Sequence, residues 1–125
     1  MEILVVTHGL WRWLVLLAAV LAVAGAAVAR RGAAPGWTAR TGLIYTIALD
    51  VQVLIGLIIW LMGSWWQGDP FYAYIHPLLM LLAVGVAHMG RRREKRRQAG
   101  QPVGGELFAY AGSLVLVMLG VPWHS

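Results

Sequence analysis

Two histidines of this chain, His8 and His76, have the residue type and the positions that suit a metal cofactor. If each lies near the start of its own membrane helix, His8 is about 8 Å and His76 no more than about 6 Å below that start. Neutral imidazole is a good axial ligand for haem iron, and two histidines on different helices can hold a porphyrin between them. The pair predicts one bis-histidine haem site between neighbouring helices. The alternative is two interfacial histidines that hydrogen-bond only water or backbone.

Arg12 lies one helical turn beyond His8 on the same helix face. An unpaired charge at that depth costs about 2.5 to 3.5 kcal/mol on insertion scales, so Arg12 needs a partner. A haem propionate is one candidate. Asp50 on the second helix is the other, because its depth differs from that of Arg12 by only about 5 Å. The two partners are compatible with each other.

Asp50 and His88 form a second group of polar residues inside apolar stretches. Asp50 is interpreted as a proton site, an ion-pair partner of Arg12 or a hydrogen-bond acceptor. His88 either pairs with Asp50 or extends towards the nearby arginines, and we prefer the second arrangement. Gln52 lies about 200° around the helix from Asp50 and is therefore assigned to a different face.

The way His76 is held depends on Pro77, the residue that follows it. Proline lacks a backbone N–H and disfavours helical geometry at the preceding residue, but it fits the first turn of a helix. We expect the third helix to start at Pro77, with His76 positioned by the turn before it. Met80, one turn further on, is an alternative axial ligand, although methionine more often packs. His124 is a weaker candidate for the same site.

Composition indicates the elements that carry these residues. The 125-residue chain is 60% hydrophobic and 12% charged, which leaves too little polar surface for a soluble globule. A bilayer core of about 30 Å needs roughly 20 helical residues. We expect an all-α membrane protein with a single domain over residues 1–125, folded as an antiparallel up-down bundle of four transmembrane helices. The four apolar stretches are Ile3–Val28, Gly42–Met62, Tyr72–Met89 and Leu107–Val121.

The basic residues predict the orientation of the bundle. Nine of the ten Lys and Arg residues fall in the first and third connections or in the helix ends beside them. By the positive-inside rule these connections are cytoplasmic and both termini are outside, in a bacterial inner membrane. The net charge of +5 is then explained by anionic lipids rather than by nucleic acid. An outer aromatic belt is predicted at Trp60, Trp65, Trp66 and Trp123.

The absence of cysteine narrows the chemistry. It excludes disulfides, thiolate metal sites, iron–sulfur clusters and covalently attached c-type haem. The sequence also contains no Gly-rich phosphate loop, nucleophile elbow or His-Glu-x-x-His motif. We therefore expect an electron carrier or a subunit rather than a stand-alone enzyme.

Several short motifs spread over nearly the whole chain resemble small bacterial four-helix membrane proteins that are labelled cytochrome b-like. They are His8-Gly-Leu-Trp-Arg-Trp13, Asp50-Val-Gln-Val-Leu-Ile-Gly56, His76-Pro-Leu-Leu-Met80, Gly90-Arg91 and Val121-Pro-Trp123. The resemblance implies that His8 and His76 hold haem b, with Arg12 beside it. Ile75 stands where many members have Glu, and Asp50 where some have His.

Three functions are considered. The leading one is a b-type membrane cytochrome that contains one haem b and carries single electrons between a quinone or membrane dehydrogenase and an outer-side acceptor. The second is a haem-free structural or accessory subunit of a larger complex, such as a respiratory complex. The third is a small proton or solute transporter that uses Asp50 and His88. The lipid bilayer is a partner in all three, and a homo-oligomer is compatible with each.

Overall fold

The computed structural model describes residues 2–31, 40–64, 67–98 and 105–120. These residues form four α-helices and one π-helical turn, which confirms the all-α prediction. In chain order the elements are α1 (Glu2–Arg30), α2 (Thr41–Met62), the π-helical turn (Phe71–Ile75), α3 (His76–Gln98) and α4 (Glu106–Gly120).

Three of the helical segments are long and apolar enough to cross a membrane: Glu2–Ala29, Thr41–Met62 and Ala73–Arg96. The fourth helix, α4, has 15 residues and a length of about 22 Å, which is shorter than a bilayer core. Large apolar side chains are exposed on the outside of all four helices, where lipid can cover them. The chain therefore has the surface of a membrane protein.

The four helices are arranged as a ring. Helix α1 packs against α2 and α4, and α3 packs against the same two helices. Consequently α1 and α3 lie on one diagonal of the bundle, and α2 and α4 lie on the other. The expectation that the two histidines belong to adjacent helices is therefore wrong, because their helices face each other across the bundle.

Contacts at both ends of each helix pair give the helix directions. In the first pair, Gly25 of α1 lies against Thr41, whereas His8 lies against Gly56 near the other end of α2. Two such contacts require that α1 and α2 run in opposite directions. The same reasoning applies to α3 and α4, where Gly90 lies against Tyr110 and His76 lies beside Gly120.

These contacts define two ends of the bundle. The histidine end contains His8, Gly56, His76 and Gly120, and the arginine end contains Thr41, Arg91 and Tyr110. Between them the centre is filled largely by alanines, which allow helices to approach closely. The buried alanines of the core are Ala18, Ala19, Ala22, Ala26, Ala48, Ala83 and Ala87.

Two tyrosines connect α2 and α4, the helices on one diagonal of the bundle, towards the arginine end. The rings of Tyr45 and Tyr110 are 6.2 Å apart and cross at 78°. Ser113 Oγ donates to the carbonyl of Ala83 at 2.8 Å. Because that proton is used, the 2.7 Å contact between Tyr45 and Ser113 has the tyrosine hydroxyl as its donor. The buried hydroxyls are thereby satisfied without water.

The arginine-rich segment is part of the fold. Helix α3 continues through it to Gln98. Glu94 is only 1% exposed, forms an ion pair with Arg91 and accepts a hydrogen bond from the Tyr110 hydroxyl at 3.1 Å. A Cβ atom at Gly42 would overlap both the Tyr110 hydroxyl and the Glu94 carboxylate. This end of the bundle is consequently packed around a glycine.

We expect Gly42→Ala to lower the free energy of unfolding by about 1 to 3 kcal/mol, because the added methyl group overpacks a filled site. Gly112→Ala is the matched control, since a Cβ atom there meets only Val86 at 3.8 Å and alanine is the better helix former. Unfolding in mixed detergent micelles, followed by circular dichroism, measures both. Equal stability of the two variants would contradict the packing described for Gly42.

Candidate cofactor site

His8 on α1 and His76 on α3 face each other across the histidine end. Their ring centroids are 6.3 Å apart and their planes are at 89° to each other. Two imidazoles bound on opposite sides of one metal ion have centroids about 6 Å apart, because each metal–nitrogen bond is about 2 Å long. Both ring planes then contain the metal axis, so a perpendicular arrangement is allowed. The spacing matches that of an axial ligand pair.

The ring of His76 is oriented by the end of α4. Its Nδ1 lies 2.6 Å from the carbonyl oxygen of Gly120. A carbonyl oxygen only accepts hydrogen bonds, so Nδ1 carries the proton and the ring lone pair is on Nε2. Histidines that bind metals commonly have this arrangement, in which the second nitrogen donates to a backbone carbonyl. The tautomer of His76 therefore suits a ligand that binds through Nε2.

The π-helical turn before His76 corrects the expectation that the third helix starts at Pro77. Helical structure begins earlier, and the N–H of His76 bonds to the carbonyl of Phe71 in the π pattern. Asp69 stabilises the beginning of this turn, because its carboxylate accepts the N–H of Phe71 at 2.9 Å. His76 is thus held inside a continuous helical segment rather than by a flexible turn.

Trp60 compensates for the backbone donor that Pro77 lacks. In an α-helix the carbonyl of Ala73 would accept the N–H of residue 77, which proline does not have. The indole nitrogen of Trp60 donates to this carbonyl at 3.1 Å instead. The sequence predicts Trp60 in an aromatic belt, and in the structure its indole also fixes the segment that carries His76.

His8 is held by two residues of α2. Its ring lies over Gly56, where a Cβ atom would come within 3.0 Å of the His8 ring carbon Cε1. Gln52 donates from its amide nitrogen to the backbone carbonyl of His8 at 2.7 Å. The Nδ1 atom of His8 is buried and has no hydrogen-bond partner among the residues that the structure describes.

A cavity of about 410 Å³ adjoins both imidazoles. All four helices contribute to its mainly apolar wall, through residues that include Val5, Arg12, Gln52, Trp60, Met80 and Val117. Within the described part of the chain, Nε of Arg12 and Oε1 of Gln52 are also buried without a partner. A buried polar atom left without a partner costs about 1 to 3 kcal/mol. The cavity thus contains polar atoms that a bound group can satisfy.

Arg12 does not pair with Asp50. Its guanidinium carbon lies 4.9 Å from the ring centroid of Trp13 and forms a cation–π contact. No carboxylate of the described residues forms an ion pair with Arg12. Of the two partners expected from the sequence, the structure thus rules out Asp50, which faces away from the cavity.

Asp50 instead pairs with His88. The Nε2 atom of His88 lies 3.0 Å from each of the two carboxylate oxygens. The preferred expectation that His88 extends towards the arginines is therefore wrong, because the carboxylate of Asp50 lies within its reach. Both side chains are about half exposed on the outer surface of α2 and α3, and neither is among the described residues that line the cavity.

Gln52 is the site residue that the sequence reasoning missed. It lies on a different face of α2 from Asp50, as predicted, and this face rather than the face with Asp50 points into the bundle. Met80 is buried against Gly120 and also lines the cavity. The predictions for Trp65, Trp66, Trp123 and His124 fall on residues outside those described.

In the described ranges, no group of three or more His, Cys, Asp or Glu side chains could hold a metal ion. An axial haem site needs only two protein ligands, since the porphyrin supplies the remaining ones. Comparison with protein-family models, curated proteins and solved structures finds no match. The resemblance to cytochrome b-like proteins therefore stays a prediction.

We expect Trp60→Phe to lower the free energy of unfolding by about 1 to 3 kcal/mol, because the carbonyl of Ala73 loses its donor beside Pro77. Trp13→Phe is the control, since Trp13 is more than half exposed and phenylalanine keeps an aromatic ring at that position. Denaturant titration of both variants in detergent micelles measures the difference. If the two variants unfold at the same midpoint, the indole does not have this role.

Proposed function

We propose that this chain is a b-type membrane cytochrome that holds one haem b between His8 and His76. In this proposal it carries single electrons between a quinone or membrane dehydrogenase and an acceptor on the outer side. The observation that carries the proposal is the 6.3 Å separation of two imidazoles beside a mainly apolar cavity. Packing alone gives no reason for two polar rings to meet there.

The two histidines are suitable ligands for haem iron. Each histidine contributes one imidazole from a different helix, and His76 has its lone pair on Nε2 because Nδ1 donates to Gly120. Gly56 leaves the space that the His8 ring occupies. The buried Nδ1 of His8 has no protein partner among the described residues, so a bound group can satisfy it.

Arg12 supplies the cation that a haem carboxylate requires. It lies on α1 one turn from His8 and lines the same cavity. Charge-assisted hydrogen bonds between guanidinium and carboxylate are among the stronger polar contacts in proteins. The unpartnered Nε of Arg12 is one donor for such a contact, and Gln52 on the neighbouring α2 adds a further buried polar atom.

When bound, haem supplies reversible one-electron chemistry at its iron. The chain contributes the surroundings that this chemistry needs. Its imidazoles would hold the iron, its apolar wall would limit the access of water, and the positive charge of Arg12 would favour the state that has gained an electron. Because the ring of His76 and the backbone of His8 are each held by a protein hydrogen bond, we expect little rearrangement between oxidation states.

The membrane arrangement belongs to the same proposal. Four spans would place both termini outside and the arginine end in the cytoplasm of a bacterial cell, as the positive-inside rule favours. Three apolar segments are long enough to cross a membrane, and the antiparallel packing of α4 on α3 favours a fourth crossing although α4 alone is shorter than a bilayer core. The Asp50–His88 pair lies on the surface of the helices that faces away from the bundle centre and the cavity. It therefore does not support a transport path through the bundle.

The first test is the absorption spectrum of protein purified after haem-replete expression. We expect a low-spin b-type spectrum that is lost in both His8→Ala and His76→Ala, because each removes one axial ligand. His88→Ala is the matched control and keeps the spectrum, since His88 does not line the cavity. Helical circular dichroism and gel-filtration profiles show whether each variant is folded.

A colourless wild-type protein under these conditions would contradict the proposal and favour a haem-free accessory subunit. An unchanged spectrum in both alanine variants would rule out these two ligands while leaving haem binding elsewhere.

A second test addresses Arg12. We expect Arg12→Leu to speed haem loss by about tenfold, because one charge-assisted hydrogen bond worth roughly 1.5 kcal/mol is removed. Arg92→Leu, at an exposed position of the arginine end, is the control. The rate is measured by haem transfer to an excess of a scavenging protein. Equal rates for the two variants would show that Arg12 does not contact the cofactor.

A further inference from the structure

The Asp50–His88 pair has no role in the cofactor site, and its position on the bundle is unusual. Asp50 lies nine residues after Thr41 and twelve before Met62, so it is about 13 Å and 18 Å from the two ends of α2. At that depth the surroundings of an isolated chain are lipid tails. The side chains of His88 and Asp50 are nevertheless 47% and 45% exposed.

Polar side chains in membrane spans normally face the bundle interior or a polar cavity, because exposure to hydrocarbon is costly. Asp50 and His88 bond to each other, but both side chains still face away from the bundle interior. The cost of exposing them to hydrocarbon is therefore only partly offset. A further polar surface that covers the pair would remove the remaining cost. The question is which molecule supplies that surface.

The pair has hydrogen-bonding capacity left over. A carboxylate offers about four lone-pair positions, and among the described residues Asp50 accepts only from Nε2 of His88. The other ring nitrogen of His88, Nδ1, has no partner in the described part of the chain. The same patch thus presents spare hydrogen-bonding positions on both side chains.

Gly85 provides room for close approach beside the pair. It lies three residues before His88, on the same side of α3, and a Cβ atom built at Gly85 meets nothing within 4 Å. Exposed small residues in membrane helices let the backbone of another helix come close. The surrounding exposed side chains are apolar, as Leu54 and Leu81 illustrate. We call this surface, centred on Asp50, Gly85 and His88, the α2–α3 face.

We propose that a second copy of this chain packs on the α2–α3 face about a two-fold axis near Gly85. A two-fold interface requires a surface that complements itself. An acid and a base side by side meet this requirement, because the rotation brings each acid towards the base of the other copy. The Asp50–His88 pair of each copy then lies against the pair of the other, and the backbones meet at Gly85.

Cross-linking tests this arrangement without disturbing the pair. The chain has no cysteine, so a single introduced cysteine reports one position only. We expect Gly85→Cys, oxidised in native membranes with copper phenanthroline, to give a disulfide-linked product of twice the 13.7 kDa chain mass. Val115→Cys on α4 is the matched control at another exposed site, and it gives little product.

The role of the pair is tested in the same background. We expect Asp50→Leu and His88→Leu each to reduce the yield of cross-linked Gly85→Cys by about tenfold, because each removes both symmetric contacts. The exchange variant, Asp50→His with His88→Asp, keeps an acid beside a base and restores the yield. Helical circular dichroism of the purified variants separates loss of the dimer from loss of folding.

Three outcomes would overturn the proposal. One is equal cross-linking at Gly85→Cys and Val115→Cys. Another is a cross-linked product that contains a different polypeptide, which would assign the face to another subunit. The third is a yield that does not change in folded Asp50→Leu protein, which would make the pair irrelevant to association.

Discussion

Polar groups in the apolar interior of a membrane bundle must find their partners within the protein, and most features of this structure follow from that constraint. The indole of Trp60 replaces the backbone donor missing at Pro77, the hydroxyl of Tyr45 donates to Ser113, and the ring of His76 donates to Gly120. These bonds join different helices, so satisfying the polar groups also fixes how the helices pack.

The constraint is not fully met in two places, and the two proposals concern these places. In the cavity at the histidine end, atoms of His8, Arg12 and Gln52 are buried without partners among the described residues. On the outer surface, Asp50 and His88 face outward although they lie within apolar helices. The first place is inside and suits a cofactor, whereas the second is outside and suits another chain. The fold separates them because α2 presents Gln52 and Asp50 on opposite sides.

The sequence predicted the helices and the meeting of His8 with His76, because apolar length and helical rise determine depth. It could not determine rotation about the axis of α2. That helix is apolar on nearly every side, so periodicity does not distinguish the face with Asp50 from the face with Gln52. The sequence also could not predict that His76 donates to the carbonyl of Gly120 or that Trp60 donates to the carbonyl of Ala73. Neither a backbone carbonyl nor a π-helical turn is marked by a characteristic residue type.

The central claim is that His8 and His76 bind one haem iron from opposite sides. Electron paramagnetic resonance of the oxidised, haem-loaded protein tests it most directly, since the signal depends on both the number and the mutual angle of the axial ligands. With ring planes at 89°, the account predicts a strongly anisotropic low-spin ferric signal, as expected for nearly perpendicular imidazoles. A high-spin ferric signal from folded, haem-loaded protein would show that the two histidines do not bind together and would contradict the account.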